Sequence, residues 1–143
     1  MQKKADHADE FILVNIGEAE GFRSSEGVVK PLVFGRNISS VCLEIPPHFE
    51  IPAHSHSQET IIFCVEGNFT RTASGITRSI GPGDVYLVPS GCAGGIKTGE
   101  KAVKVIACSS PSTAASKEAF LERIMDSRNK KSLHSHEQQH EDS

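Results

Sequence analysis

The chain has no tryptophan and a single tyrosine, and aromatic residues make up only 6% of it. Basic excess is also missing. Fifteen Lys and Arg stand against 18 Asp and Glu, a formal net charge of −3, so nothing invites a nucleic-acid backbone and no nucleic-acid partner is expected. No apolar run approaches the roughly 20 residues of a membrane span. The opening Met1-Gln2-Lys3-Lys4-Ala5-Asp6 lacks the apolar core of a secretory signal. The expected location is therefore cytoplasmic, with no membrane partner. Cysteine is sparse, with four residues at positions 42, 64, 92 and 108, and their spacing matches neither a zinc finger nor a C-x-x-C pair. Free thiols are expected in a reducing compartment. Cys42, Cys64 and Cys108 fall inside apolar β-type runs and read as small buried hydrophobes, whereas Cys92 lies in a Gly-rich turn and reads as accessible.

What is present is a series of short β-type runs punctuated by glycine and proline. Residues 11–15, 28–34, 40–45, 84–89 and 101–108 read as strands. Pro31 confines the second of these to an edge or a bulge, because it has no N–H to give a neighbour. Residues 68–73 and 76–80 read as a hairpin around Ser74-Gly75, and Gly81-Pro82-Gly83-Asp84 as a tight turn. Residues 90–95 read as a second, Gly-rich turn. Many short strands with such turns predict an all-β barrel or sandwich. One helix is expected over 116–128, capped by Ser116, with Glu118 in its first turn. Phe120, Leu121, Ile124 and Met125 form an apolar stripe that packs on the barrel. The expected organisation is a flexible N-terminus over 1–10, one domain over 11–128 that includes the helix, and a disordered polar tail over 129–143. That tail holds His134, His136 and His140, with no periodic pattern to fix them.

The chemistry concentrates in Pro52-Ala53-His54-Ser55-His56, which runs on into the β-rich stretch to Gly67. If this is one strand, alternate side chains share a face and the imidazoles of His54 and His56 reach one metal ion together. Two ligands do not complete a zinc or non-haem iron site, which takes three or four. Asp84 reads as a turn residue and Tyr86, Phe63 and Phe69 as packing. Arg71 and Arg78 flank one hairpin and are able to bind an acidic ligand, but exposed hairpin charges are usually solvated, and they read as such.

The two glycine-rich motifs resemble those of the cupins. The family's first motif, G-x5-HxH-x3,4-E-x6-G, is met by His54-Ser55-His56, three residues, Thr60, six residues and Gly67. Its second, G-x5-PxG-x2-H-x3-N, is met by Gly83, five residues, Pro89-Ser90-Gly91, two residues and Gly94. The resemblance covers residues 28–110. It implies a double-stranded β-helix, a jelly-roll barrel of two antiparallel sheets around a pocket, and a homodimer. It also implies a metal set of two histidines, one Glu or Gln and one late histidine. Here Thr60 stands in the carboxylate slot, Gly94 in the late-histidine slot and Thr98 in the terminal asparagine slot. Glu59 becomes a third ligand only if a bulge turns it inward. Cys92, two residues before Gly94, is the other residue able to supply a ligand. Thr60, Ile62, Tyr86, Cys92 and Gly94 are the expected pocket residues.

Three functional readings stay open at this point. The barrel binds a small polar or acidic ligand, sugar-derived acids among them, with or without a divalent ion (Fe, Zn, Mn or Ni) on His54 and His56. It is a metal-dependent enzyme of the isomerase, lyase or dioxygenase kind. Or it is a non-catalytic dimeric scaffold. Fold alone does not choose between them.

Overall fold

Alternation of apolar and polar residues builds the central strands. In β5 (Glu59–Glu66) the residues Thr60, Ile62 and Cys64 are buried while their neighbours are exposed. In β10 (Val103–Ser110) the buried set is Val103, Val105, Ala107 and Ser109. The computed structural model describes residues 11–126. The larger sheet has six strands, β1 (Phe22–Ser24), β2 (Gly27–Phe34), β3 (Ser39–Ile45), β10, β5 and β8 (Val85–Val88), in that spatial order. The smaller sheet has four strands, β4 (Glu50–His54), β9 (Gly94–Thr98), β6 (Phe69–Ala73) and β7 (Ile76–Ile80), again in spatial order. All neighbours pair antiparallel. The two sheets meet over a common core. Ile45, Ile62, Cys64, Val88, Val103, Val105 and Ala107 come from the larger sheet, and Ile51, Phe69, Ile80 and Ile96 from the smaller. This is the expected all-β architecture, a jelly-roll barrel with a helix after its last strand.

Several expectations need correction. Residues 11–15 are not a strand but extended coil, followed by one turn of 3-10 helix over Ile16–Glu18. Phe11 and Leu13 are 83% and 77% exposed while Ile12 and Val14 are half-buried, and among the described residues the run has no partner strand. Between the two first expected strands lies β1, which was not read from the sequence and pairs with Gly27, Val28 and Val29 of β2. Pro31 lies beyond the end of β1, where the pairing of β2 with β3 also slips, so its missing N–H leaves no neighbour unmet. Gly94 and Gly95 do not belong to a turn. They open β9, which is paired on both sides, by β4 and by β6. Cys108 is not fully buried, because it lies on the outward row of β10.

The helix is formed from residue 117 to residue 126. Ser116 caps it, its Oγ accepting from Ala119 N at 3.1 Å. Phe120 packs on Phe34, with ring centroids 5.3 Å apart. Leu121 and Ile124 are half-buried, and Met125 is 53% exposed. Before the helix, Thr113 N donates to Ser39 Oγ at 2.9 Å, tying the segment to the start of β3. The expectations for residues 1–10, for the helix end at 127–128 and for the tail with His134, His136 and His140 lie outside the described residues. Among the described residues no helix is long and apolar enough to cross a membrane.

Candidate functional site

The two histidines are not on one continuous strand. His54 is the last residue of β4, residues 55–58 cross from the smaller sheet to the larger, and β5 begins at Glu59. The rings nevertheless meet. Their centroids lie 4.6 Å apart and their planes stand at 87°, an edge-to-face contact. His54 Nδ1 is 2.9 Å from Pro52 O. A carbonyl only accepts, so Nδ1 carries the proton and donates. The other nitrogen, Nε2, faces a carboxylate, with Glu26 Oε2 at 3.6 Å.

Glu26 comes from the turn between β1 and β2. That turn is pinned locally. Glu26 N donates to Ser24 Oγ, and Ser24 Oγ donates to Gly27 O, each at 3.1 Å. Gly27 has φ +103°, and a side chain there would run into the Glu44 carbonyl. Glycine thus lets the hairpin close against β3 and carry Glu26 to the cavity. Burial holds His56 below the ordinary imidazole value. The neighbouring His54 adds to this, the Glu26 carboxylate opposes it, and Arg71 lowers it further.

Arg71 is the residue that reading the chain misassigned. Its strand, β6, buries Phe69, and Arg71 lies two residues on, so the same parity carries it inward. It lines the cavity and is not a solvated hairpin charge, whereas Arg78 on β7 is exposed as expected. In register, Gly94 lies between His54 of β4 and Ala73 of β6. A Cβ on Gly94 would overlap the Arg71 guanidinium, with Cζ only 2.6 Å away. The space that a side chain at position 94 would take is therefore filled by Arg71. Its Cζ also lies 5.3 Å from the centre of the Tyr86 ring, a cation–π contact. The Tyr86 hydroxyl is buried with no hydrogen-bond partner among the described residues. Burial pushes the Tyr86 phenol up, and the Arg71 charge pulls it partly back.

These groups surround one cavity of about 160 Å³ between the sheets. Val29, Val41, Leu43, Ile62, Val88 and Ile96 give it apolar walls. Glu26, His54, His56, Gln58, Thr60, Arg71 and Ser109 give it polar groups, and Thr113 and Phe120 border it from the segment after the barrel. Thr60 and Ser109 face each other in register, and their hydroxyls are hydrogen-bonded at 2.9 Å.

Of the residues singled out in the sequence, His54, His56, Thr60, Ile62 and Gly94 line this cavity. Glu59 sits on the exposed row of β5, away from the lining. Tyr86 lies behind Arg71 and does not itself line the cavity, and Cys92 sits half-buried in the turn before β9, also outside it. Glu26, Gln58, Ser109, Thr113 and Phe120 were not anticipated, and Arg71 was named only as the less favoured binder of an acidic ligand. Only Arg71 had a sequence signal, its period-two relation to Phe69.

With this geometry in place, comparison with known proteins is decisive for the family. The family model described as a cupin domain matches residues 41–107. Over these residues the chain is a cupin domain. Similar solved structures include an RmlC-like cupin from Shewanella frigidimarina, 18% identical over 78% of this chain and 95% of that one, with a TM-score of 0.66. KdgF from Halomonas sp. is 23% identical over 68% of this chain and 92% of its own, with a TM-score of 0.63. The polyketide cyclase RemF from Streptomyces resistomycificus is 19% identical over 73% and 82%, with a TM-score of 0.65. At these identities the likeness carries the fold. A search of curated proteins finds no match.

The cupin metal set can now be tested against the residues present. The carboxylate slot holds Thr60, whose hydroxyl is engaged by Ser109. The late-histidine slot is Gly94, and a guanidinium cation fills the space beside it. Among the described residues no three His, Cys, Asp or Glu side chains converge where they could hold one ion. The residues present do not fit the four-ligand cupin centre.

Proposed function

We propose that this cupin binds a small polar organic molecule in its barrel cavity. The observation that carries the reading is the cavity itself, with apolar walls and a few convergent polar groups, the usual build of a small-molecule site. Its size, about 160 Å³, limits what fits. A cavity of about 150 Å³ takes a molecule the size of benzene, so the enclosed part of the ligand is of that order. Groups near His54 and Gln58 can hold a longer ligand where it leaves the cavity.

The test is thermal melting of the protein against a panel of small acids, alcohols and sugars, uronic acids among them. A true ligand at a hundredfold excess over Kd adds about 2.7 kcal/mol of stability. A flat response to the whole panel refutes the reading and favours a scaffold role. Homodimerisation is proposed from the family likeness alone, and light scattering of the purified protein tests it.

One feature favours a second reading, in which a divalent ion (Fe, Zn, Mn or Ni) sits on His54 and His56. The Nδ1 bond to Pro52 O leaves Nε2, the nitrogen that faces Glu26, as the one an ion would take from the neutral ring, as in many metal-bound histidines. Metal analysis of untagged protein, compared with the His54→Ala/His56→Ala double variant, tests it. Equal metal in both proteins removes these residues as ligands.

A further inference from the structure

We propose that the ligand of this cavity is a small monocarboxylate and that Arg71 is its anchor. The inference rests on the cavity being a ligand site, and it names the chemical class.

Arg71 brings a permanent positive charge to a cavity with mostly apolar walls. Charge taken from water costs free energy unless it is paired. Yet among the described residues no carboxylate comes within ion-pair distance of Arg71, and the ion pairs present involve Lys30, His54 and Lys104 instead. Its neighbour is Tyr86, whose ring face lies 5.3 Å from Cζ and whose hydroxyl it also approaches, and this neutral side chain holds the guanidinium without neutralising it. The position is built rather than incidental. Arg71 can occupy it because residue 94 has no side chain, and the would-be Cβ contacts nearest to Gly94 are all guanidinium atoms. A planar guanidinium has five donors, more than Tyr86 can engage, and its fork matches a carboxylate through two parallel hydrogen bonds.

The rest of the cavity narrows the class. Glu26 lies in the same lining, paired with His54 at 3.6 Å. A second ligand carboxylate near Glu26 would meet like charge, so dicarboxylates are disfavoured. A hydroxyl, by contrast, can donate to Glu26 or exchange hydrogen bonds with the Thr60–Ser109 hydroxyl pair. The fitting class is a short hydroxy monocarboxylic acid.

The experiment is calorimetric titration of the full chain with matched probes: lactate and 3-hydroxybutyrate, their primary amides, propane-1,2-diol, and malate as the dicarboxylate. Wild-type protein should bind at least one of the acids about tenfold to a hundredfold more tightly than its amide, and malate more weakly than the monoacids. Arg71→Gln should erase the acid preference, and Arg71→Lys should keep the charge but recover only part of it. The single tyrosine gives an independent readout on wild-type protein. A bound carboxylate neutralises the pull of Arg71 on Tyr86, so phenolate formation should move to higher pH when acid is present. If acid and amide bind equally, or if Arg71→Gln keeps the preference, the carboxylate inference is overturned while the cavity remains a ligand site. If no acid, amide or diol binds, the site itself is overturned and the inference falls with it. Should Arg71→Gln not fold, the wild-type acid–amide comparison and the Tyr86 shift still decide.

Discussion

Gly94→Ala separates a binding role for Arg71 from a structural one, because the substitution adds one methyl group and touches little else. Gly94 is not among the glycines at positive φ, so the backbone accepts alanine. The nearest atoms to the new methyl are Arg71 Nη2, Cζ and Nη1, the far end of a flexible side chain. The guanidinium must leave its place over Tyr86. The stability terms nearly cancel. Losing the cation–π contact costs about 0.5–2 kcal/mol, while replacing a strand glycine with alanine returns about 0.5–1 kcal/mol of chain entropy. The net change should stay within about 1 kcal/mol, which for a chain of this size is about 4 °C in Tm or less.

Affinity should not be spared in the same way. Displacing the guanidinium removes charge-assisted hydrogen bonds to a bound carboxylate, each about 1.5–3 kcal/mol. Losing even one of them corresponds to about a tenfold to hundredfold rise in Kd. Thermal melting by circular dichroism and calorimetric titration with the same acid read the two quantities separately. The expected result is an almost unchanged Tm with a sharply weakened Kd. An unchanged Kd would show that the ligand does not lean on Arg71 where the structure places it. A fall in Tm beyond about 10 °C would show that Gly94 serves packing rather than the site.

Three further outcomes follow from the same structure. Tyr86 is the sole tyrosine and there is no tryptophan, so alkaline absorbance titration reports on it alone; its phenolate should form above pH 10, the unfolded value, because burial disfavours the charge. The unfolded chain then loses its proton first, so stability held below pH 10 should be lost as pH rises through the folded-state value, and a midpoint at or below 10 would contradict the burial. With a chromogenic disulfide reagent, Cys92 should react first in the native protein and half-buried Cys108 more slowly. Cys42 and Cys64, whose thiols burial pushes up, should react only on unfolding, and Cys42 reacting as fast as Cys92 would refute the placement. Gly67→Ala should destabilise the barrel by at least about 1–2 kcal/mol, because Gly67 has φ +81° and its added methyl would strike the Ala102 carbonyl; an unchanged urea midpoint would refute this.

The strands that could be read from sequence are those whose local pattern also satisfies their neighbours. β5 and β10 alternate cleanly and lie side by side in the centre of the larger sheet. The β6–β7 hairpin turns at Ser74 and Gly75, both at positive φ, and Gly83 does the same before β8. The failures share a cause. Phe11 to Val14 has the composition of a strand but no partner among the described residues, and β9 begins with two glycines but has a partner on each side. Strand formation depends on pairing with distant segments, and composition records only half of that condition. The break between His54 and Glu59 is the same problem seen from the other side. The run looks continuous in sequence, yet its two ends belong to different sheets.

For the site, parity within one strand was readable and register between strands was not. His54, Gly94 and Arg71 come from three strands, and Glu26 from a turn on the opposite sheet. What the chain did show was a glycine where the cupin motif has a histidine, which looked like a simple loss. Protein interiors are packed to near-crystalline density, so an imidazole removed from a barrel centre leaves volume that something must fill. The filler has to come from a neighbouring strand, point inward and be long. Gly94 pairs with Ala73 of β6, and two residues back along that strand, on the face shared with buried Phe69, stands Arg71. An exchange of imidazole for guanidinium changes the chemistry as well as the shape. The imidazole is a lone-pair donor that takes a cation, whereas the guanidinium is a permanent cation that takes an anion. A glycine in a ligand slot of such a barrel is therefore best read together with the inward residue two places from its register partner, since that residue decides which sign of charge the cavity will accept.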